Sequence, residues 1–201
     1  MGAIDVARAL PCWRGKVEPR PIKGGITNAN FLVEDSGERF FVRVGEDIPI
    51  HGVMRFNECA ASRAAAACGL SPELLYQAPG ALVFRYIEAK TLSAEDVRPR
   101  AMLERILPLL RTCHREVPKH VRGPVLIFWV FHVVRDYAHT LKAGNSAHLG
   151  DIPHLLRMAQ DLEQAVGPVD IVFGHNDLLP SNFLDDGKRV WLIDWDYAGF
   201  N

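Results

Sequence analysis

The sequence predicts an α+β chain in two lobes. A small β-rich N-terminal lobe over residues 1–89 holds a five-stranded antiparallel sheet and one helix, and a larger helical C-terminal lobe spans residues 90–201. Three observations carry this expectation. Up to Ile87 the apolar residues come in short runs divided by Gly, Pro and Asp turns, the pattern of strands. From Ser93 the spacing changes to threes and fours, the pattern of amphipathic helices. Near the C-terminus two apolar runs bracket the polar stretch Gly174-His175-Asn176-Asp177-Leu178-Leu179-Pro180-Ser181-Asn182, and the second run ends in Asp194.

In chain order, residues 4–10 read as a leading helix that Pro11 stops. Lys23-Gly24-Gly25-Ile26-Thr27-Asn28-Ala29-Asn30 then leads into Phe31-Leu32-Val33. Two glycines let the backbone approach an anion, and Thr27, Asn28 and nearby amides supply donors for phosphate oxygens. By itself the stretch reads as readily as a plain hairpin turn. A turn at residues 35–38 leads into residues 39–45, where Phe41, Arg43 and Gly45 share a face by period two. Arg43 is thus a cation inside an apolar strand, aimed at a site or snorkelling to water from an edge.

Residues 54–68 read as a helix with Phe56, Cys59, Ala60, Arg63, Ala64 and Ala67 along one stripe and Gly69 as its stop. Glu58, in its first turns, either reaches back to Arg43 or stays solvated. Residues 72–76 and 81–87 are further strand-like runs divided by Pro79-Gly80.

Ser93 with Asp96 forms a capping pair opening the helical half. Residues 102–116 place Met102, Ile106, Leu109, Leu110 and Cys113 on one face, with Pro108 as a kink. Residues 125–141 read as a second, unusually apolar helix ending near Gly144. Residues 151–166 read as a third, with Leu155, Met158, Ala159, Leu162 and Val166 as its stripe and Gly167-Pro168 closing it. His132, Asp136 and His139 share a face, but without a zinc-helix spacing they read as packing and capping residues. Phe128, Trp129 and Phe131 read as core. Residues 169–173 and 189–193 are expected as short strands flanking the polar loop, with Asp185-Asp186-Gly187-Lys188 as a turn.

The polar loop carries the chemistry. Asp177 and Asn182 have the D-x-x-x-x-N spacing of a phosphoryl-transfer loop, in which the Asp accepts the acceptor hydroxyl's proton and the Asn ligates magnesium. Asp194, at the exit of the second apolar run, supplies the second magnesium oxygen. Nucleotide phosphates are polyanionic, so catalysis there is mostly positioning and charge neutralisation, and magnesium favours such hard oxygen ligands. A lone D-x-x-x-x-N is common by chance, and Asp and Asn are ordinary turn formers. It is the conjunction of His-x-Asp, the Asn and the later Asp that points to a site. His175 reads as a brace for the loop rather than a base or metal ligand.

His175-Asn176-Asp177 with Asn182, followed by Ile193-Asp194-Trp195-Asp196-Tyr197, resembles the choline/ethanolamine kinase branch of the aminoglycoside phosphotransferase superfamily, which has a protein-kinase-like fold. The acid and Tyr after Asp194 mark that branch; aminoglycoside phosphotransferases more often have Gly-Arg there. The resemblance implies several roles. ATP and Mg2+ are the cofactors. Gly25, Thr27 and Asn28 lie in the loop covering the nucleotide, and Arg43 takes the phosphates while pairing with Glu58. Backbone groups near Tyr86 and Ile87 hold adenine, and Asp177 and Tyr197 face the acceptor. It also implies a further helical segment beyond Asn201 that encloses the acceptor's cationic head, so the chain is expected to be a truncated version of a longer enzyme.

The expected function is therefore ATP-dependent phosphorylation of a small alcohol, choline or ethanolamine. The alternatives are a kinase of another small alcohol, such as an aminoglycoside or homoserine, and a catalytically silent nucleotide-binding module.

A formal net charge of -1 with no polybasic run argues against nucleic-acid or membrane-surface partners, and no apolar stretch reaches the ~20 residues of a bilayer span. Cys12, Cys59, Cys68 and Cys113 form no C-x-x-C, and the N-terminus is no secretory leader, so reduced thiols in a cytoplasm are expected. A homodimer is the candidate assembly.

Overall fold

The computed structural model describes residues 2–22 and 28–201. Helix α1 (Ala3–Arg8) opens the chain, followed by strands β1 (Arg20–Ile22), β2 (Ala29–Asp35) and β3 (Glu38–Val44). Helix α2 (Arg55–Ala67) precedes β4 (Leu74–Ala78) and β5 (Ala81–Arg85). These strands form a five-stranded sheet in the order β1-β2-β3-β5-β4, every pairing antiparallel. Strand alternation gives the sheet two different faces. Phe31, Val33, Val42, Ala81 and Val83 bury against α1, while Leu74, Leu82 and Phe84 join Cys59 of α2 on the other side.

The second half runs through β6 (Lys90–Thr91), α3 (Ala94–Val97), α4 (Arg100–Arg115), α5 (Val117–His120), α6 (Val130–Ala143) and α7 (Ile152–Val166). Four short strands follow: β7 (Phe173–Gly174), β8 (Phe183–Asp185), β9 (Val190–Leu192) and β10 (Gly199–Phe200). The expected cap opens α3: Ser93 Oγ accepts from the Asp96 amide, and Asp96 accepts from the Ser93 amide. Pro108 lies inside α4, whose Ile106 and Cys113 are buried with Leu192 and Trp195 in a core that also takes in Ala61 and Ala65 of α2. That shared core sets α2 beside the polar loop.

Five expectations are corrected. Residues 125–129 are extended rather than helical, because their backbone is taken by the chain end: the Phe200 amide donates to the Leu126 carbonyl and the Phe128 amide to the Phe200 carbonyl. Residues 169–172 lie outside any strand, with Ile171 76% exposed; Phe173 and Gly174 pair with β10, and Val172 extends that pairing by exchanging backbone hydrogen bonds with Asn201. On α2 the buried face is Asn57, Glu58, Ala61, Ser62 and Ala65 with Cys59 and Ala64, while Phe56 is exposed. Polar contacts rotate the helix: Asn57 Nδ2 donates to the Ala198 carbonyl and its Oδ1 accepts from the Leu126 amide. On α7, Leu155, Met158, Leu162 and Val166 are exposed, and only Ala159 of the expected stripe is buried. His132 and His139 are exposed instead of packed. No helix among the described residues is long and apolar enough to cross a membrane.

Candidate active site

The polar loop is braced from within. His175 is buried directly after β7; its Nε2 donates to the Ile193 carbonyl at 2.9 Å and its Nδ1 accepts the Asp177 amide at 3.3 Å. These two bonds require a neutral ring with its proton on Nε2. Burial pushes the imidazole pKa below its ordinary value, which keeps it so. Asn176 takes the left-handed conformation at φ 65° and donates through Nδ2 to the Tyr197 carbonyl at 3.0 Å. The stretch 174–182 is thereby bound to the stretch 193–197. His175 is the brace that the sequence suggested.

The loop closes through a 3-10 turn at Pro180–Asn182. Asn182 Nδ2 donates to both the Asp177 carbonyl (2.8 Å) and Asp177 Oδ2 (3.1 Å). With its nitrogen committed to two acceptors, the amide's orientation is settled, and Oδ1 is the edge left to ligate a cation. The Ile193 amide donates to the Asn182 carbonyl at 2.9 Å, placing Asp194 next in chain. Asp194 itself sits at φ 68°, a region that non-glycine residues seldom occupy. That kink at the exit of β9 turns its carboxylate toward the sheet, where Oδ1 accepts from Arg43 at 2.8 Å.

Arg43 is buried, which removes the snorkelling alternative. Its Nη1 meets Glu58 Oε1 at 2.6 Å, Asp194 Oδ1 at 2.8 Å and Asp196 Oδ1 at 3.2 Å. Burial works against its charge, but the carboxylates Glu58, Asp194 and Asp196 outweigh it and hold the guanidinium protonated. Glu58 is 1% exposed, so the solvated reading fails as well. Desolvation pushes its carboxyl up to about 7 against the pull of Arg43 and Arg55.

Two members of this cluster carried no site role in the sequence reading. Arg55 bonds Glu58 Oε2 and Asp196 Oδ1 through one terminal nitrogen and Asn28 Oδ1 through the other. Asp196, 5% exposed, accepts from both arginines. The available signals were the acid two residues after Asp194 and an Arg three residues before Glu58, the spacing of helical neighbours.

The remaining site residues fall in different places. Tyr197 is half-buried, its ring edge-on to Phe128 with centroids 6.2 Å apart, and burial raises its phenol pKa. The Tyr86 amide donates to the Arg39 carbonyl, so that donor is already used, and the Tyr86 ring lies under the Arg39 guanidinium. Ile87 lines a cleft with Arg63, Ala67, Arg189 and Trp191, outside the Arg43 cluster. Gly25 and Thr27 lie outside the described residues. Among the described residues no set of three or more His, Cys, Asp or Glu gathers as a metal site.

The family described as choline/ethanolamine kinase matches residues 20–201. The chain belongs to the choline/ethanolamine kinase family. A choline/ethanolamine kinase family protein of Mesorhizobium loti is 31% identical in sequence and superposes with a TM-score of 0.71, over 100% of this chain and 67% of that one. Mouse ethanolamine kinase 2 is 29% identical over 213 residues, covering 100% of this chain and 54% of its own length. A spectinomycin phosphotransferase solved with ADP and spectinomycin superposes at 0.60 with 14% identity over 98% of this chain and 68% of that one, a likeness of fold. The fold is thus the α+β, protein-kinase-like one, a β-sheet lobe with helices, that the sequence predicted. The chain spans about half the length of the curated choline/ethanolamine kinase relatives it matches.

Proposed function

We propose that this chain carries the catalytic machinery of an ATP-dependent phosphotransferase that acts on the hydroxyl of a small alcohol, choline or ethanolamine. The supporting observation is that the Asp177–Asn182 pair of one loop is tied, through the Ile193 amide on the Asn182 carbonyl, to Asp194, which bonds Arg43 beside Glu58. Asp177, half-buried at the head of the loop, orients the acceptor hydroxyl and takes its proton as the oxygen bonds to the γ-phosphorus and ADP departs. Arg43 neutralises phosphate charge and Glu58 holds Arg43 in place. Asn28 serves the nucleotide phosphates, a role the family resemblance gives also to Gly25 and Thr27; the chain near Ile87 serves adenine, and Tyr197 the acceptor.

Asn182 Oδ1 and Asp194 are the residues that would hold magnesium. An amide oxygen and a carboxylate suit that ion, which takes one or two carboxylates and fills its shell with phosphate oxygens and water. A dedicated all-protein cage is not needed. When bound, the ion supplies neutralisation of the phosphate charge.

We assign residues 1–89 to the nucleotide lobe and 90–201 to the loop-bearing lobe. A cytoplasmic setting suits the four cysteines, all free thiols.

The test is magnesium-dependent ADP formation from ATP with choline, ethanolamine, homoserine and an aminoglycoside, with the Asp177→Asn chain as control. One alcohol is expected to stimulate turnover, and Asp177→Asn to remove it while nucleotide binding persists. Undiminished turnover in Asp177→Asn would overturn the role given to that carboxylate.

A further inference from the structure

Arg43, Glu58 and Asp194 account for the known logic of the cluster, but Arg55 is left over. Its surroundings are unusually complete. Besides Glu58 and Asp196 on one terminal nitrogen and Asn28 Oδ1 at 2.9 Å on the other, its Nε donates to the Glu46 carbonyl at 3.2 Å. Its own amide is capped by Asp47 Oδ1 at 2.7 Å. One planar fork therefore joins α2, the β3–α2 connection, the Asp194–Tyr197 stretch and the chain at Asn28. An ammonium group has no such spread of fixed donors.

A second observation points the same way. Gly45 directly follows β3, and a Cβ placed on it would lie 2.1 Å from Asn28 Oδ1 and 3.7 Å from the nearer Arg55 terminal nitrogen. The backbone φ of Gly45 is not in the left-handed region, so conformation does not demand glycine there. Space does: the missing side chain is the room in which Asn28 meets Arg55.

We propose that Arg55 is a positioning residue for the nucleotide, holding Asn28 against the buried Arg43–Glu58–Asp196 cluster through the gap that Gly45 leaves. In this arrangement the segment bearing Asn28 is registered against the same carboxylates that orient Arg43. Nucleotide affinity then depends on a contact that Arg55 makes with neither substrate nor metal. The inference rests on the phosphate-facing role given to Asn28 above.

Nucleotide binding tests it without turnover. Kd for magnesium-ADP is measured on the unaltered chain and on Arg55→Lys, Asn28→Ala, Gly45→Ala and the Arg55→Lys/Asn28→Ala pair, with a urea midpoint for each. Arg55→Lys and Asn28→Ala are each expected to weaken binding about tenfold, the scale of one charge-assisted hydrogen bond. The pair is expected to weaken it no further than either alone, because both break one contact. Gly45→Ala leaves every charge in place and is expected to weaken binding by a similar factor while its urea midpoint stays near that of the unaltered chain. Failure of the unaltered chain to bind nucleotide would sink the functional reading itself. Binding by the unaltered chain with Gly45→Ala and Asn28→Ala unchanged in Kd would overturn the inference alone. So would independent, multiplying losses in the pair.

Discussion

Replacing Arg43 with Met tests whether the buried cluster holds the molecule together. The side chain is 8% exposed, and its Nη1 serves Glu58, Asp194 and Asp196 at 2.6, 2.8 and 3.2 Å. Met fills a similar volume without charge, leaving three carboxylates with Arg55 alone, so with every acid ionised the cluster's net charge falls from -1 to -2. Breaking a buried pair by removing one partner costs about 3–5 kcal/mol, because the other charge is left uncompensated. For a chain of this size that is a fall in Tm of roughly 6–20 °C.

The loss should also depend on pH, through Glu58. Its folded pKa, about 7, lies above the ordinary carboxylate value of 4.5, so the stability it contributes is present below 4.5 and lost as pH rises through 7. Removing Arg43 takes away a pull that lowers this pKa, so protonation relieves the variant more than the parent. The deficit should therefore be larger near pH 8 than near pH 5.5. Urea unfolding of the parent, Arg43→Met and Arg43→Lys at both pH values reads this directly, with Lys recovering part of the loss. A deficit below about 1 kcal/mol at pH 8, the worth of an exposed pair, would refute the buried cluster, as would a pH-independent one.

His175 gives a prediction of opposite sign. Burial holds its folded pKa below 6.5, so the stability of the neutral ring is present above 6.5 and lost as pH falls below it, while the Asp177 amide loses its acceptor. His175→Asn should be less stable than the parent at pH 8, and the gap should narrow toward pH 5.5 in denaturant titrations; a gap that widens would contradict the tautomer assigned here. Gly199→Ala should cost about 1–3 kcal/mol by overpacking, since its Cβ would lie 2.5 Å from the Leu126 carbonyl oxygen and backbone yields poorly. An unchanged urea midpoint would show that the chain end does not lie this close to residues 126–128.

Much of the site was legible in one dimension because its chemistry sits in local spacing. Asp177, Asn182 and Asp194 fall within 18 residues, and each is chosen for the oxygen or amide it carries. Period two put Arg43 on one face of its strand. The sheet was legible too, since turns and alternation are short-range. What failed were the faces. Residues 125–129 are apolar enough for a helix, yet their backbone bonds go to Phe200, over 70 residues away. The stripe on α2 was drawn from Phe56 and the alanines, and Asn57 with Glu58 turned the helix the other way because each finds buried partners beyond its own neighbourhood.

The sequence by itself determined the acids, amides and cations available, and their order along the chain. Only the tertiary structure decided which of them meet. Arg43 lies 151 residues from Asp194, and Arg55 lies 141 from Asp196. A charge has no directional signature in sequence; its partner is set by whichever buried face it is folded against, where an unpaired ion is too costly to keep.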